Sequence, residues 1–260
     1  MEVKNRIVVV TGGASGIGED LCRRFMKEGA AGVVVVDRNE TGAKEVAESI
    51  GGVAMGADVS NEDDIIRVVN DTEAQFGRVD IFVSNAGICL FDGDLPTSNS
   101  NEEWETIWQI NVMAHIYAAR AVLPGMIERG GGYLISTASA AGLLNQIGAA
   151  TYSVTKSAAV AFAEHLSIDL ADKGIRVSVL CPQAVRTGMT AGSDGGVAGL
   201  DGMMDPEEVS DSVIEAMREE RFLILPHPEV LTYMQRKTSD YDRWLGGMRR
   251  LRQRMIDRKS

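Results

Sequence analysis

Seven short runs of apolar, often β-branched residues recur along the chain, and longer stretches with a helical period separate them. Several runs are apolar without alternation, which is typical of parallel strands that helices cover on both faces. This pattern predicts an α/β fold, a doubly wound parallel sheet of seven strands in a single domain. We expect the strands at Arg6–Thr11, Gly32–Asp37, Gly52–Ala57, Asp80–Ser84, Gly132–Thr137, Arg176–Cys181 and Phe222–Leu225.

Such a sheet also indicates where a site should lie. Ligands of doubly wound sheets bind beyond the carboxyl ends of the strands, so site residues should follow strands directly. Between the strands we expect helices, for example Asn61–Phe76 with Asn61 as its N-cap.

Charge and cysteine content argue against several classes of protein. The net charge of −11 repels phosphate backbones, so nucleic acid is a poor candidate partner. Three cysteines without a CxxC pair indicate a reducing compartment, and three scattered histidines predict no metal site. We find no signal-peptide pattern, and no apolar run approaches the ~18 residues that span a bilayer. We therefore expect a cytoplasmic protein that does not bind a membrane.

A glycine-rich turn, Thr11–Gly18, follows the first strand. Its glycines permit positive φ angles and let the backbone approach a pyrophosphate, while the following helix offers unpaired N–H groups to phosphates. A tight turn without a ligand is the alternative. The ligand is favoured because the second strand ends at Asp37, about 20 residues after the last glycine, as in the dinucleotide fingerprint. The predicted contacts in the turn are Gly12, Ser15, Gly16, Ile17 and Gly18.

Asp37 and its neighbour bear on which dinucleotide binds. A carboxylate at this position accepts hydrogen bonds from ribose hydroxyls and repels a 2′-phosphate, which predicts NAD(H) over NADP(H). Ser15 stands where a basic residue would favour NADP(H), so it points the same way. Arg38 could tolerate a phosphate, which leaves the use of NADP open, although a solvated helix start is the simpler interpretation of this arginine.

Two further polar segments follow strands at the same edge. Asp58 and Val59 follow the third strand, and Asp58 could accept from the adenine amino group. Asn85-Ala86-Gly87 follows the fourth strand, where Asn85 could tie strand ends together and Gly87 would permit close approach of the cofactor. Asp58 and Asn85 could equally be simple turn formers.

A tyrosine and a lysine share one face of a predicted helix over Ala149–Lys173. Tyr152 and Lys156 are four residues apart, which places both side chains on the same side. A nearby ammonium lowers the pKa of a phenol and makes it a better proton acceptor. Ser139 follows the fifth strand and could donate to a substrate carbonyl. Asn111 lies within an apolar helical stretch and could reach Lys156 through water.

Together these residues resemble the classical short-chain dehydrogenase/reductase family over about residues 4–226. The family's motifs occur in the family's order: Gly12, Gly16, Gly18, Asp58, Asn85-Ala86-Gly87, Asn111, Ser139, Tyr152, Lys156 and the segment Pro182–Thr187. The resemblance implies a Rossmann-type fold and hydride transfer between NAD(H) and a secondary alcohol or ketone. One departure is Pro182-Gln183, where the family usually has Pro-Gly.

The resemblance also implies individual roles. Tyr152 would be the general acid in reduction and the base in oxidation, and Lys156 would bind the nicotinamide ribose and lower the tyrosine pKa. Ser139 would polarise the substrate oxygen, and Asn111 would hold a water of a proton relay. The cofactor contacts on this side would be Tyr152, Lys156, Pro182, Val185 and Thr187. Because family members are usually homotetramers or homodimers, we expect an oligomer that uses segments Glu102–Arg129 and Ala149–Lys173.

The last part of the chain departs from the regular pattern. We expect a catalytic domain over 1–242, with segment 188–204 as a glycine-rich lid. Its apolar residues could cover a substrate, and Arg186 is the only basic residue expected nearby, so we expect a small to medium apolar ketone or secondary alcohol. A surface loop that selects nothing is the alternative. The lid's candidate covering residues are Met189, Val197, Leu200, Met203 and Met204.

Segment 243–260 predicts a basic amphipathic helix. Apolar residues with helical spacing alternate with Arg243, Arg249, Arg250, Arg252, Arg254, Arg258 and Lys259. Such a helix can bind membranes or acidic partners, but docking on its own or a neighbouring subunit is more common. Other functions stay open: a dinucleotide-binding sensor without catalysis, a scaffold that binds a partner through this tail, and an epimerase or dehydratase of sugar nucleotides in a related fold.

Overall fold

A computed structural model describes residues 1–257 and confirms the predicted sheet. Seven parallel strands lie in the order β3-β2-β1-β4-β5-β6-β7. Their boundaries differ from the predicted ones by at most one residue at either end. They are β1 (Ile7–Thr11), β2 (Gly32–Asp37), β3 (Val53–Gly56), β4 (Ile81–Ser84), β5 (Gly132–Thr137), β6 (Ile175–Leu180) and β7 (Leu223–Ile224).

Helices cover both faces of the sheet. The helices within residues 1–257 are α1 (Gly16–Lys27), α2 (Glu40–Ile50), α3 (Glu62–Phe76), α4 (Asn101–Trp108), α5 (Ala114–Glu128), α6 (Ala140–Leu144), α7 (Ala150–Leu170), α8 (Pro206–Glu219), α9 (Glu229–Ser239) and α10 (Tyr241–Asp257). Helices α1, α2 and α8 contribute to the core on one face, and α3, α5 and α7 contribute to the core on the other.

The second strand shows why its sequence does not alternate. Val34 and Val36 pack in the core with α3, α5 and α7, whereas Val33 and Val35 pack in the opposite core with α1, α2 and α8. All four valines are fully buried, so each face of the strand is apolar. Burial of a valine side chain contributes roughly 1.5–3 kcal/mol, so this strand anchors both layers.

Helix α3 begins as its sequence predicted. Asn61 is the N-cap, and its side-chain oxygen accepts a hydrogen bond from the Asp63 N–H (3.1 Å). The helix ends at Gly77, whose φ of +81° is a left-handed conformation that glycine adopts without strain. Residues Ile65, Val68 and Val69 face the core, as their spacing predicted.

One helical stretch requires a correction. Asn101–Glu128 is 28 residues long and its most apolar window has a mean hydropathy of 1.2, so by length and composition it could cross a membrane. From the sequence we expected no apolar run of this length. In the fold this stretch packs on the sheet and on α3 and α7, with Ala118 and Val122 in the core. It consists of α4, a π-helical turn at Gln109–Met113, and α5.

The last two helices lie beside one another at the end of the chain. Trp244 of α10 and Tyr233 of α9 pack against a small core formed by Val230 of α9 with Ala140 and Leu144 of α6. The ammonium of Lys237 donates to the carbonyl oxygen of Leu143 (2.6 Å), which fastens α9 to the end of α6. The predicted tail helix begins two residues earlier than expected, at Tyr241, and Arg258 and Lys259 lie outside the described residues.

Candidate active site

The glycine turn between β1 and α1 is too tight for side chains at three positions. Gly12 and Gly16 have φ angles of +67° and +56°. A Cβ atom at Gly12 would lie 2.9 Å from the Cα of Ala86, and one at Gly16 would lie 2.9 Å from the Cγ2 of Thr187. A Cβ at Gly18 would overlap the carbonyl oxygen of Gly12. The turn therefore exposes backbone rather than side chains at the start of α1.

The N-terminus of α1 keeps its hydrogen-bond donors. Ser15 is the N-cap, but its side chain makes no capping hydrogen bond, and Ile17 lies in the first turn. The first N–H groups of a helix have no partner within the helix, and they carry partial positive charge. These residues fit the diphosphate of a dinucleotide, because the backbone approaches closely and its donors point outward.

Asp37 ends β2 beside this turn. Its carboxylate accepts hydrogen bonds from the N–H groups of Ala14 (3.1 Å) and Asn39 (2.9 Å), so it joins the glycine turn to the second strand. Asp37 is partly exposed and Arg38 is exposed. The carboxylate is thus held at the sheet edge and faces solvent on one side.

Asp58 acts as a turn former, which was one of its two interpretations. Its Oδ1 accepts from the N–H (2.9 Å) and the hydroxyl (2.6 Å) of Ser60. The Asp58 N–H donates to Asp64 (2.9 Å), and this contact helps to lower the pKa of Asp64 after the larger effect of Arg67. Asp58 is exposed and Val59 is buried, so only Asp58 offers a polar side chain to a ligand here.

Asn85 ties strand ends together, the first of its two interpretations. Its amide donates to the carbonyl oxygens of Thr11 (3.0 Å) and Gly12 (3.4 Å). The Thr11 hydroxyl accepts from the N–H groups of Asn85 and Ala86. A Cβ at Gly87 would lie 3.2 Å from the Nζ of Lys156, so the backbone passes directly beside that ammonium.

Tyr152, Ser139 and Lys156 converge at the carboxyl ends of β5 and β6. The Ser139 hydroxyl lies close enough to the Tyr152 phenol to lower the pKa of that phenol. The ammonium of Lys156 lies 5.7 Å from the centre of the Tyr152 ring and donates to the carbonyl oxygen of Thr137 (2.8 Å). Ser139 is buried at the start of α6, where its oxygen also accepts from the Ala141 N–H (3.1 Å).

The acidities at this site differ from the sequence-based expectation. Burial raises the pKa of Tyr152 to about 12, although the nearby Ser139 hydroxyl opposes that shift. Burial lowers the pKa of Lys156 to about 8. The expected lowering of the tyrosine pKa by Lys156 is absent, because desolvation of the phenolate is the largest effect and Lys156 is not among the groups that lower the Tyr152 pKa. Tyr152 is a protonated hydrogen-bond donor at neutral pH.

Asn111 makes direct hydrogen bonds that the sequence did not predict. It is fully buried in the π-helical turn, where its amide donates to the Ile88 carbonyl (2.9 Å) and the Thr155 hydroxyl (3.2 Å). Its oxygen accepts from the Ile88 N–H (2.9 Å). These bonds fix the segment after Gly87, and both Asn111 Oδ1 and Lys156 Nζ lie 3.2 Å from the position that a Cβ at Gly87 would take, so the water-mediated link between them stays a prediction. Irregular helical turns of this kind often occur at functional sites.

The segment after β6 joins the two halves of the site. The carbonyl oxygen of Pro182 accepts from the Ala140 N–H (2.9 Å), Val185 is buried, and the methyl group of Thr187 faces Gly16. The departure at Gln183 has a structural consequence. Its amide donates to Asp201 (3.0 Å), and its N–H donates to the Nδ1 of His227 (3.2 Å).

Segment 188–204 is held by backbone hydrogen bonds rather than free. The Ala184 N–H donates to Ala198, and the Arg186 N–H donates to Met204 (2.9 Å), beside a parallel bridge between Val185 and Met204. Arg186 itself forms an ion pair with Asp205 (3.1 Å). These bonds argue against a disordered segment, whereas its selection of a substrate stays a prediction.

A cavity of about 720 Å³ opens beside Ser139. Segment 188–204 contributes Val197, Ala198, Leu200 and Asp201 to its wall, whereas Met189, Met203 and Met204 are absent from the lining. Helices α9 and α10 form much of the rest. The expectation of one basic residue near the site is wrong, because arginines from these two helices line the same cavity: Arg236, Arg243, Arg250 and Arg254.

Two residues were missed because no local pattern marks them. Tyr233 donates to Asp201 (2.8 Å) and completes the contact made by Gln183. His115 on α5 is buried, and neither of its ring nitrogens has a hydrogen-bond partner among residues 1–257. Burial, with a smaller effect of the Lys156 charge, lowers the pKa of His115 to about 3, so its imidazole is neutral. Only its position in an apolar helical stretch, like that of Asn111, could have drawn attention to it.

Comparison with known proteins places this geometry in a family. A family model described as short chain dehydrogenase matches residues 6–196. The chain belongs to the short-chain dehydrogenase family. It is 34% identical over 236 residues to 1-deoxy-11-beta-hydroxypentalenate dehydrogenase of Streptomyces exfoliatus, which covers 88% of this chain and 86% of that protein. The family resemblance seen in the sequence, and its Rossmann-type single domain, are thereby confirmed.

Solved structures of short-chain dehydrogenases share the fold. A short-chain dehydrogenase/reductase from Burkholderia phymatum in complex with NAD matches with a TM-score of 0.84 and 25% identity, over 93% of this chain and 96% of that one. The 3-ketoacyl-(acyl-carrier-protein) reductase of Brucella melitensis, complexed with NADH, matches with a TM-score of 0.80 and 28% identity, over 86% and 98%. These matches support an oxidoreductase with a nicotinamide dinucleotide cofactor.

Proposed function

We propose that this short-chain dehydrogenase interconverts a secondary alcohol and a ketone with NAD(H), and that Tyr152 is its general acid and base. The observation that carries the proposal is that Tyr152 and Lys156 lie together near Ser139, which is in the wall of the cavity. Each group has a function in moving a proton to or from an oxygen atom. The bound nicotinamide supplies or accepts the hydride.

In the direction of reduction, Tyr152 gives its proton to the carbonyl oxygen of the substrate. Ser139 donates a hydrogen bond to the same oxygen and holds it beside the phenol. The ammonium of Lys156, 5.7 Å from the centre of the Tyr152 ring, would stabilise the phenolate that remains, whereas burial disfavours that phenolate and raises the pKa of Tyr152 to about 12. Because one donor of Lys156 is held by Thr137, the ammonium keeps its position while two donors remain for the cofactor ribose.

The remaining residues place the cofactor and keep the site in shape. Gly12, Ser15, Gly16, Ile17 and Gly18 would hold the diphosphate against the start of α1. Asp37 would accept hydrogen bonds from the adenosine ribose and repel a 2′-phosphate, which favours NAD(H). Asp58, Val59, Asn85, Ala86 and Gly87 would line the adenine and ribose side, and Pro182, Val185 and Thr187 the nicotinamide side. Asn111 would fix the backbone beside Gly87 and Lys156.

The test combines cofactor titration with turnover. NADH and NADPH are titrated by fluorescence into the wild-type protein and into Tyr152→Phe, and both proteins are assayed on a panel of secondary alcohols and ketones. We expect tighter binding of NADH than of NADPH by both proteins. We expect turnover by the wild type and a loss of roughly 10²–10⁴-fold or more in Tyr152→Phe, since proton transfer by a positioned side chain contributes about that factor.

Each part of the result is informative by itself. Appreciable turnover by Tyr152→Phe would exclude the proposed proton transfer. Tighter NADPH binding would show that Arg38 outweighs Asp37. NADH binding without turnover on a broad panel would favour a dinucleotide sensor over an enzyme.

A further inference from the structure

The cavity beside Ser139 carries an excess of positive charge. Four arginines and two aspartates line it, which leaves two net positive charges in a protein whose net charge is −11. An acidic surface repels anions at a distance. Arginines gathered around one cavity make the electrostatic potential there positive, opposite in sign to that of the protein as a whole. The charged lining residues are Asp201, Asp240, Arg236, Arg243, Arg250 and Arg254.

Both aspartates are already engaged by the protein. Asp201 accepts from the Tyr233 hydroxyl (2.8 Å) and the Gln183 amide (3.0 Å), and Asp240 accepts from the Arg243 N–H (3.0 Å). Among residues 1–257, no ion pair involves the guanidinium groups of Arg243, Arg250 or Arg254. These three groups therefore retain their forked donors for a ligand, and such donors match carboxylates and phosphates.

The rest of the lining is largely apolar. Leu144 lies at the end of α6, Leu200 comes from segment 188–204, and Trp244, Met248 and Leu251 come from α10. The arginines and these apolar residues of α10 recur at helical spacing, so one helix face combines both kinds of contact. Arg249 does not line this cavity, and Arg252 lines a separate cavity of about 370 Å³.

We propose that the substrate of this site is an amphiphilic anion, a ketone or secondary alcohol on an apolar body that carries a carboxylate or a similar anionic group. The apolar body would lie against Leu144, Leu200 and Trp244, the anionic group would bind Arg250 and Arg254, and the reacting carbon would lie beside Ser139. This proposal rests on the proposed function for the reaction at the oxygen. It replaces the neutral apolar substrate that the sequence suggested.

The experiment measures anion preference without relying on turnover. Calorimetry compares octanoate with octanamide, which has the same length and no charge, on the full-length protein. We expect octanoate to bind about fivefold to tenfold more tightly, since each exposed ion pair contributes a modest amount. The preference should shrink as salt is added, because the arginines are exposed. In the double variant Arg250→Gln/Arg254→Gln the ratio of the two affinities should fall close to one.

A matched control comes from the same helix. Arg249→Gln/Arg252→Gln removes the same charge from α10 but leaves the cavity lining unchanged, so it should retain the octanoate preference. Equal binding of octanoate and octanamide by the wild type would overturn the proposal. A preference that survives in Arg250→Gln/Arg254→Gln would overturn it as well. So would sedimentation with phosphatidylglycerol vesicles that depends on these arginines without any octanoate preference, because that result assigns them to a membrane surface.

A second arm separates this proposal from the proposed function. A medium-chain methyl ketone that ends in a carboxylate is compared with the same ketone ending in a primary amide, with NADH as reductant. Equal kcat/KM for the two ketones leaves the reaction intact and contradicts the anionic substrate. A lower KM for the carboxylate, lost in Arg250→Gln/Arg254→Gln, supports it. Octanoate preference without turnover of either ketone supports the anion site and counts against the proposed reaction on these two ketones only.

Discussion

The dinucleotide edge and the cover of the cavity are built on different principles. At the dinucleotide edge, residues 11–18 and 85–87 interlock through backbone atoms, and Cβ atoms at Gly12 and Gly18 would collide with neighbouring backbone. In the cover, formed by segment 188–204 with α9 and α10, side chains do most of the work, and many of them are exposed. A site built from backbone suits a cofactor that stays the same. In a cover of exposed side chains, substitutions can alter which substrate binds without disturbing the sheet or the cofactor site.

Replacing one glycine by alanine in each region tests whether the backbone controls that region. Gly18→Ala in α1 places a Cβ against the Gly12 carbonyl oxygen, and a helix and a strand end must move apart to accept it. We expect a loss of at least about 3 kcal/mol of folding free energy or a complete loss of NADH binding. Chemical unfolding and NADH fluorescence measure the two outcomes.

Gly246→Ala in α10 is the matched control. Its Cβ would lie 3.5 Å from the nearest atom, the far end of the Arg250 side chain, which is an ordinary contact. Alanine is a better helix former than glycine, so this variant should be stabilised by up to about 1 kcal/mol. If Gly18→Ala binds NADH as the wild type does, the backbone of the turn does not control the cofactor site.

Low pH should destabilise the folded protein, because protonation of His115 favours the unfolded chain. Burial lowers the pKa of His115 from 6.5 to about 3 in the folded state, so between these values the unfolded chain binds more protons than the folded one. Stability should therefore fall as the pH falls, by about 2 kcal/mol between pH 7 and 5. His115→Leu should remove that loss, and because neither ring nitrogen has a hydrogen-bond partner within the described part of the chain, it should cost little stability at pH 7.

Denaturant titrations at the two pH values measure this effect. His165→Gln is the control, since it removes an exposed imidazole from α7 and should leave the acid sensitivity in place. An unchanged pH dependence in His115→Leu would show that water reaches the imidazole of His115 in the folded protein.

The two regions also differ in how well the sequence predicts them. The strands and the glycine turn were predicted because their signals are local: apolar runs that face two cores, glycines where a Cβ cannot fit, and a carboxylate at a strand end. Tyr152 and Lys156 followed from their spacing on one helix. The partners of Asn111 and the pKa of Tyr152 did not follow, because they depend on burial and on Ile88, a residue 23 positions away from Asn111.

The cover shows more clearly which contacts cannot be predicted from the sequence. The sequence indicated a basic amphipathic helix at the end of the chain, but its arginines could be placed beside Ser139 only once α10 was packed on α9 and α6. The departure at Gln183 was visible in the sequence, and its partner Asp201 lies 18 residues later in a loop without periodicity. Contacts of this kind have no local signal, because they form between segments that only the tertiary fold brings together.

The contact between Gln183 and Asp201 tests whether side chains hold the cover in place, and its expected effect on stability is small. If side chains hold the cover, Gln183→Met and Asp201→Ala should each weaken substrate binding about twofold to threefold with little change in kcat. A double-mutant cycle on stability should give a coupling of about 0.5 kcal/mol, since the hydrogen bond is partly exposed.

Tyr233→Phe, which removes the other donor to Asp201, is the internal control and should couple to Asp201→Ala to a similar extent. No coupling in either cycle would mean that the backbone bonds from Ala184 to Ala198 and from Arg186 to Met204 hold the cover alone. The cover would then be a backbone structure like the dinucleotide edge, with side chains that only choose the substrate.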